Sequence, residues 1–93
     1  MVGKGLMPAI NVSAVTSTEI VPADYNRLLI AIVNTHATSL LYINFGAIAT
    51  TDEVYVPPGG NISIGDSRAK CSINGLSSSG TIVAKYSQLS PGT

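Results

Sequence analysis

Between Arg27 and Asn34 the chain reads Arg-Leu-Leu-Ile-Ala-Ile-Val-Asn, a run that is apolar on both faces of a β-strand. Successive strand side chains point to opposite faces. Leu28, Ile30 and Ile32 therefore share one face, and Leu29, Ala31 and Val33 share the other. A strand in a small antiparallel sheet normally alternates, with one face on the core and one in water. A chain of 93 residues buries about 60–65% of its unfolded surface, enough for one modest core. Leu28, Ile30 and Ile32 are the bulkier set and are expected inward, since Ala31 is too small to anchor a core. Leu29, Ala31 and Val33 are then expected to find their cover on another subunit.

Composition supports this. Charged residues make up 11% of the chain and the formal net charge is zero, against about 25% charged in an ordinary soluble protein. A free monomer with so little charge is poorly protected from self-association. The length predicts one domain. Lys4 is followed by no long apolar run, so no secretory signal is expected. No stretch approaches the ~20 apolar residues of a membrane helix, and no membrane partner is expected. Cys71 stands alone, which excludes an internal disulfide and a cysteine-based zinc site. It reads as a small buried hydrophobe, the alternative being an intermolecular disulfide or a reactive thiol.

Period-two alternation recurs along the chain in Ile10-Val12-Ala14, Leu41-Ile43-Phe45 against Leu40-Tyr42-Asn44, Val54-Val56, Ile62-Ile64 and Ile82-Ala84-Tyr86, and Thr18–Val21 adds a short β-branched run. Each run is short, β-branched or aromatic, and bounded by Gly, Pro, Asn, Asp or Ser. No window sustains a helical apolar period. Six to eight strands at this spacing predict an all-β fold, a small antiparallel sandwich or barrel. Pro57-Pro58-Gly59-Gly60 breaks the sheet. Thr35–Thr38 reads as a four-residue hairpin loop. Gly46 marks a bulge or a positive-φ turn. Asn74-Gly75 is either a hairpin turn or a strand with a glycine kink. Residues 1–10 read as an extended N-terminal arm, 11–89 as the β-domain and 90–93 as a loose tail.

A search for chemistry finds no catalytic constellation. His36 sits alone in a predicted loop and reads as solvated. Asp52 and Glu53 are adjacent, so on a strand they diverge and cannot act on one substrate. Asp66 with Arg68 and Lys70 reads as a polar loop with a surface ion pair. Gly75 and Gly80 have phosphate-loop spacing, but Thr81 stands where that motif needs Lys. Five basic residues are balanced by five acidic ones, so no basic stripe for nucleic acid is expected. Tyr25, Tyr42, Tyr55 and Tyr86 could form a glycan-binding face. Strand tyrosines more often pack at a sheet edge or subunit interface, ring buried and hydroxyl wet.

Four segments carry a resemblance: Arg27–Asn34, Leu40-Leu-Tyr-Ile-Asn-Phe-Gly46, Val56-Pro-Pro-Gly-Gly-Asn-Ile-Ser-Ile64 and Ile73-Asn-Gly-Leu-Ser-Ser-Ser-Gly-Thr-Ile-Val-Ala84. An Arg opens a strand ending in Asn; a strand ending in aromatic-Gly follows, then an apolar-Pro-Gly turn and a Ser/Gly loop before a final strand. Over residues 27 to 86 this resembles the small decoration, or cement, proteins of tailed bacteriophages and related head-fibre and tail-accessory modules. The resemblance implies a β-sandwich of jelly-roll type, commonly trimeric, without enzymatic activity or cofactor. It implies a place on the outer capsid surface, with the major capsid protein as partner.

The residues expected at subunit or capsid contacts are Leu6 and Met7 in the arm, with Leu29, Ala31, Val33, Leu40, Tyr42 and Tyr55. The competing expectation is a virion-attached module that recognises a host glycan or anchors a fibre. A cementing protein needs broad apolar faces, whereas a glycan binder needs aromatics with amides and carboxylates beside them.

Overall fold

A computed structural model describes residues 8–51 and 54–89. The alternating runs become eight strands: β1 (Ala9–Val12), β2 (Thr18–Val21), β3 (Leu29–Asn34), β4 (Leu41–Phe45), β5 (Val54–Val56), β6 (Asn61–Ile64), β7 (Ile73–Ser77) and β8 (Ile82–Leu89). One 3-10 turn, Ser67–Lys70, lies between β6 and β7. Two four-stranded antiparallel sheets form, in the orders β1-β8-β3-β6 and β2-β7-β4-β5. The pairing is nested: β1 with β8, β2 with β7, β3 with β6 and β4 with β5. The chain is thus one long hairpin folded over, with alternate pairs falling into alternate sheets. The ladders β3–β8 and β4–β7 complete the two sheets.

Both sheets contribute to one apolar cluster. Val12, Ile30, Ile32, Ile64, Ile82 and Ala84 come from the first sheet; Ile20, Val21, Leu41, Ile43, Val56 and Ile73 come from the second. Burying a Val, Ile or Leu side chain contributes roughly 1.5–3 kcal/mol. Gly75 lies inside β7, a strand rather than a turn. A Cβ there would stand 2.6 Å from Ile20 Cδ1 and 3.1 Å from Leu41 Cδ1, so an added methyl would force the Ile20 side chain to shift. At Pro57–Gly60, Gly60 N–H donates to Pro57 O at 2.9 Å and Gly59 has φ 71°. Proline then glycine at the two central positions is what a type II turn requires.

Ile30 and Ile32 are fully buried, Leu29 is exposed, and Ala31 and Val33 are half-buried, as the side-chain sizes predict. Leu28 corrects the expectation: it precedes β3 and is 47% exposed. Arg27, not Leu28, fills the interior at that end, at 1% exposure. The Thr35–Thr38 segment is also corrected. It crosses from β3 in one sheet to β4 in the other and so is no hairpin. Asn34 turns the chain there, its Nδ2 donating to Ser39 O at 2.8 Å and Val56 O at 3.0 Å.

His36 lies in this loop, partly exposed to solvent. Its Nδ1 accepts from the backbone N–H groups of Thr38 and Ser39, at 3.1 and 3.0 Å. Ala9 and Ile10, read as arm, belong to β1 and pair with Lys85 and Ala84. The rest of the arm and the 90–93 tail lie outside the described residues.

Candidate functional site

Paired residues of neighbouring strands point to the same side of a sheet. On the outer face of the first sheet, Leu29, Ala31 and Val33 of β3 therefore stand beside Leu89, Ser87 and Lys85 of β8. Val83 lies further along the same strand face, 37% exposed. Across β6, Ala31 and Val33 meet Ser63 and Asn61. The face mixes Leu and Val with Ala, Ser and Asn side chains, and Lys85 is its single charge among the described residues.

The outer face of the second sheet is more sculpted. Leu76 of β7, Tyr42 of β4 and Tyr55 of β5 form one row in direct register. The two tyrosine rings meet edge to face, centroids 6.2 Å apart and planes at 71°. Such pairs contribute about 0.5–1.5 kcal/mol beyond area burial. Tyr55 remains 53% exposed. Leu40, by alternation, shares this side of β4; it is half-buried, with its N–H donating to Ser78 Oγ and its C=O accepting from Ser78 N–H, both at 2.9 Å.

The next row joins Glu19, Asn74 and Asn44. Both amides are committed to the chain's own carbonyls. Asn44 Nδ2 donates to Ile48 O at 3.0 Å and Asn74 Nδ2 donates to Ala47 O at 2.6 Å. They anchor the segment after β4 on this face, and it carries Ile48, 71% exposed.

The expected contact residues thus separate into two groups on opposite outer faces: Leu29, Ala31 and Val33 on one, Leu40, Tyr42 and Tyr55 on the other. Leu6 and Met7 lie outside the described residues. Leu76 went unread in the sequence because Asn74-Gly75 beside it reads equally as a turn.

The buried ends of β3 were also legible only as a rhythm. Arg27 donates Nε to Ala69 O, Nη1 to Pro22 O at 3.1 Å and to Gln88 Oε1 at 3.3 Å, and Nη2 to Cys71 O at 2.8 Å. Burial pulls the Arg27 pKa below its ordinary value, opposed by the nearby Asp24 carboxylate. Among the described residues no carboxylate bonds to the guanidinium; its partners there are neutral oxygens.

A cleft of about 410 Å³ opens between the turn after β2, Gly46 and the 3-10 turn, lined by Ala23, Tyr25, Ser67, Lys70, Cys71 and Ser72. Lys70 Nζ, on its wall, donates to Arg27 O at 2.9 Å. Beside it Arg68 pairs with Asp66 at 2.9 Å and lies over the Phe45 ring, 5.2 Å from its centroid. Hydrogen bonds from Arg68 hold the Asp66 carboxyl below its ordinary pKa. Among the described residues no three His, Cys, Asp or Glu side chains gather as metal ligands would. No helix among them is long and apolar enough to cross a membrane.

Comparison of the chain with protein-family models, with curated proteins and with solved structures finds no match.

Proposed function

We propose that the chain is a structural protein of a tailed-phage virion, a decoration protein that binds the outer shell and clamps capsid subunits together as a homotrimer. We read its two sheets as a jelly-roll sandwich. The strand orders β1-β8-β3-β6 and β2-β7-β4-β5 support that reading. Eight strands wound in this way occur in viral capsid, lectin and cupin domains, so the fold by itself selects no function. The surface does the selecting.

The observation that carries the proposal is the scarcity of charge on both outer faces. Lys85 on one and Glu19 on the other are the only charged side chains among the described residues of those faces. Faces of this kind suit contact with protein on both sides of a thin module. A protein that binds only the assembled shell stabilises it by mass action. Repetition of weak contacts by symmetry adds avidity without any single strong site.

The Tyr42–Tyr55 pair is what favours the second reading, a head-fibre or tail-accessory module recognising a glycan or anchoring a fibre. A glycan would need free amides beside the rings. Asn44 and Asn74 instead donate to the chain's own carbonyls, which favours the contact-face reading.

The test is addition of purified protein to preformed shells of the capsid protein encoded in the same genome. Expected are regular density on the outer surface by cryo-electron microscopy and shells that survive higher temperature. Protein that leaves such shells undecorated, yet is retained on an immobilised glycan, would favour the second reading.

A further inference from the structure

The four edges of the two sheets are unequally protected. An exposed edge strand invites pairing unless it is charged, bulged, broken by proline or very short. In the second sheet, β2 carries Glu19 and shifts register between Glu19 and Val21. β5 is three residues long and runs into Pro57-Pro58. The first sheet has no such device at either edge. β1, Ala9-Ile10-Asn11-Val12, and β6, Asn61-Ile62-Ser63-Ile64, contain no charge, no proline and no register shift.

The open backbone groups can be assigned on both edges. Tyr86 N–H donates to Pro8 O at 3.3 Å, and Asn34 N–H donates to Gly60 O at 3.0 Å. Antiparallel ladders bond through alternate residues. Pro8, Ile10 and Val12 therefore turn their backbone groups towards β8, and Gly60, Ile62 and Ile64 turn theirs towards β3. Ala9 and Asn11 turn theirs outward on one edge, as Asn61 and Ser63 do on the other. The N–H that Pro8 lacks falls on the β8 side, so the open side loses no donor. Each edge also carries an incompletely covered core residue: Ile10 and Ile62 pack on the apolar cluster and are only half-buried.

We infer that β1 of one copy pairs antiparallel with β6 of the next, joining their first sheets edge to edge. The inference rests on the assembly reading above and deepens it by naming the two edges that meet. The directions fit. Every step of β1-β8-β3-β6 is antiparallel, so β1 and β6 run in opposite senses. Rotation of a copy about an axis along the strands then brings β6 beside β1 as one more antiparallel pair.

The register fits as well. With Asn11 opposite Asn61 and Ala9 opposite Ser63, all the outward groups of both strands are used, each pair exchanging both of its N–H···O bonds. The same register sets Ile10 opposite Ile62 at a non-hydrogen-bonded position, where Cα atoms approach to about 4.5 Å and side chains stand closest. Each isoleucine then covers the other. A slip of two residues either way leaves one outward pair beyond the strand ends. A contact between two different edges is head to tail, and a closing rotation makes it a ring; the homotrimer proposed above is the three-membered case.

Prolines on the two edges provide the test. The Asn11 and Ser63 N–H groups point away from β8 and β3, so Asn11→Pro and Ser63→Pro leave the chain's own ladders intact and block an added strand. Each variant is expected to keep wild-type circular dichroism and to weaken self-association by about ten-fold or more in sedimentation equilibrium. Asn11→Pro keeps a sound β6 and Ser63→Pro keeps a sound β1. Their equimolar mixture is therefore expected to regain one contact and form a one-to-one pair. In a Cys71→Ser background, Asn11→Cys and Asn61→Cys proteins are expected to form an intermolecular disulfide when mixed and none when alone.

Unchanged association of either proline variant overturns the inference. Loss with Ser63→Pro alone would pair β6 with a second β6 about a two-fold axis, and loss with Asn11→Pro alone would do the same for β1. A mixture that regains no contact, or a disulfide in either cysteine variant alone, overturns it too. Should a proline variant fail to fold, the mixed disulfide decides: its formation supports the pairing and its absence overturns it. A wild-type chain that self-associates while both proline variants match it leaves the assembly reading standing without this contact. A wild-type chain that neither self-associates nor decorates shells removes both.

Discussion

Arg27 and Asn34 close the two ends of β3, and both direct their buried side chains to backbone carbonyls outside their own sheet. Arg27 reaches Pro22, Ala69 and Cys71, which flank β2 and β7. Asn34 reaches Ser39 and Val56, which lie before β4 and at the end of β5. The central strand of one sheet is thereby stapled to the other at both ends.

Removing either staple leaves carbonyls buried without donors, at roughly 1–3 kcal/mol each. Arg27→Met is expected to destabilise the fold by about 3–5 kcal/mol, part of the loss being offset because a buried charge also disappears. Arg27→Lys does not restore it, since one ammonium cannot replace a planar fork that spans several carbonyls. Asn34→Ala is expected to cost about 2–4 kcal/mol. Urea unfolding measures both. An Arg27→Met protein as stable as wild type would show that the fork contributes nothing.

Sequence reasoning reached the strands because each has a period of two and a Gly, Pro or Asn at its border. It reached the inward set of β3 because Ala31 is too small to hold a core. It missed Leu28, because one buried Arg displaced the apolar pattern by a residue. It misread Thr35–Thr38 because hairpin and crossover loops can have the same length. What separates them is the partner of Asn34, twenty-two residues away at Val56. The separation of the contact residues into two faces was equally hidden, since it depends on which sheet each strand joins.

Gly75→Ala places a methyl 2.6 Å from Ile20 Cδ1 and 3.1 Å from Leu41 Cδ1. Overpacking of this kind costs about 1–3 kcal/mol. Ile20→Val removes the nearer atom, so the double variant is expected to be more stable than the sum of the two single losses. Additive losses in thermal unfolding would show that Ile20 does not set the limit.

Asp66 predicts a narrow pH effect. Its side chain caps the 3-10 turn, accepting Arg68 N–H at 2.9 Å, and its pKa is lowered chiefly by the Arg68 side chain. A carboxyl with a depressed folded pKa stabilises above its unfolded value, about 3.9 for Asp, and the contribution disappears as pH falls through the folded value. The Ser67–Lys70 turn is therefore expected to hold through neutral pH and to loosen only in acid. Carboxyl carbon shifts followed by NMR give the midpoint; one at or above that of a free aspartate would contradict the capping role.

Ala31 and Ile30 are neighbours on β3 with opposite fates. Ile30 is fully buried and Ala31 lies on the outer face, half-buried between β6 and β8. Ile30→Asp is expected to abolish folding, since an unpaired charge in the core costs several kcal/mol. Ala31→Asp is expected to fold, with wild-type circular dichroism, and to lose assembly. Tyr55→Asp on the other face is expected to fold likewise and to lose whichever contact that face makes.

The most direct measurement is sedimentation equilibrium of the wild-type chain beside Ala31→Asp at micromolar concentration and moderate salt. Expected are the mass of a homotrimer for the wild type and that of a folded monomer for Ala31→Asp. A wild-type chain that sediments as a monodisperse monomer, with Ala31→Asp indistinguishable from it, would contradict the claim that the outer face of β3 is a subunit contact.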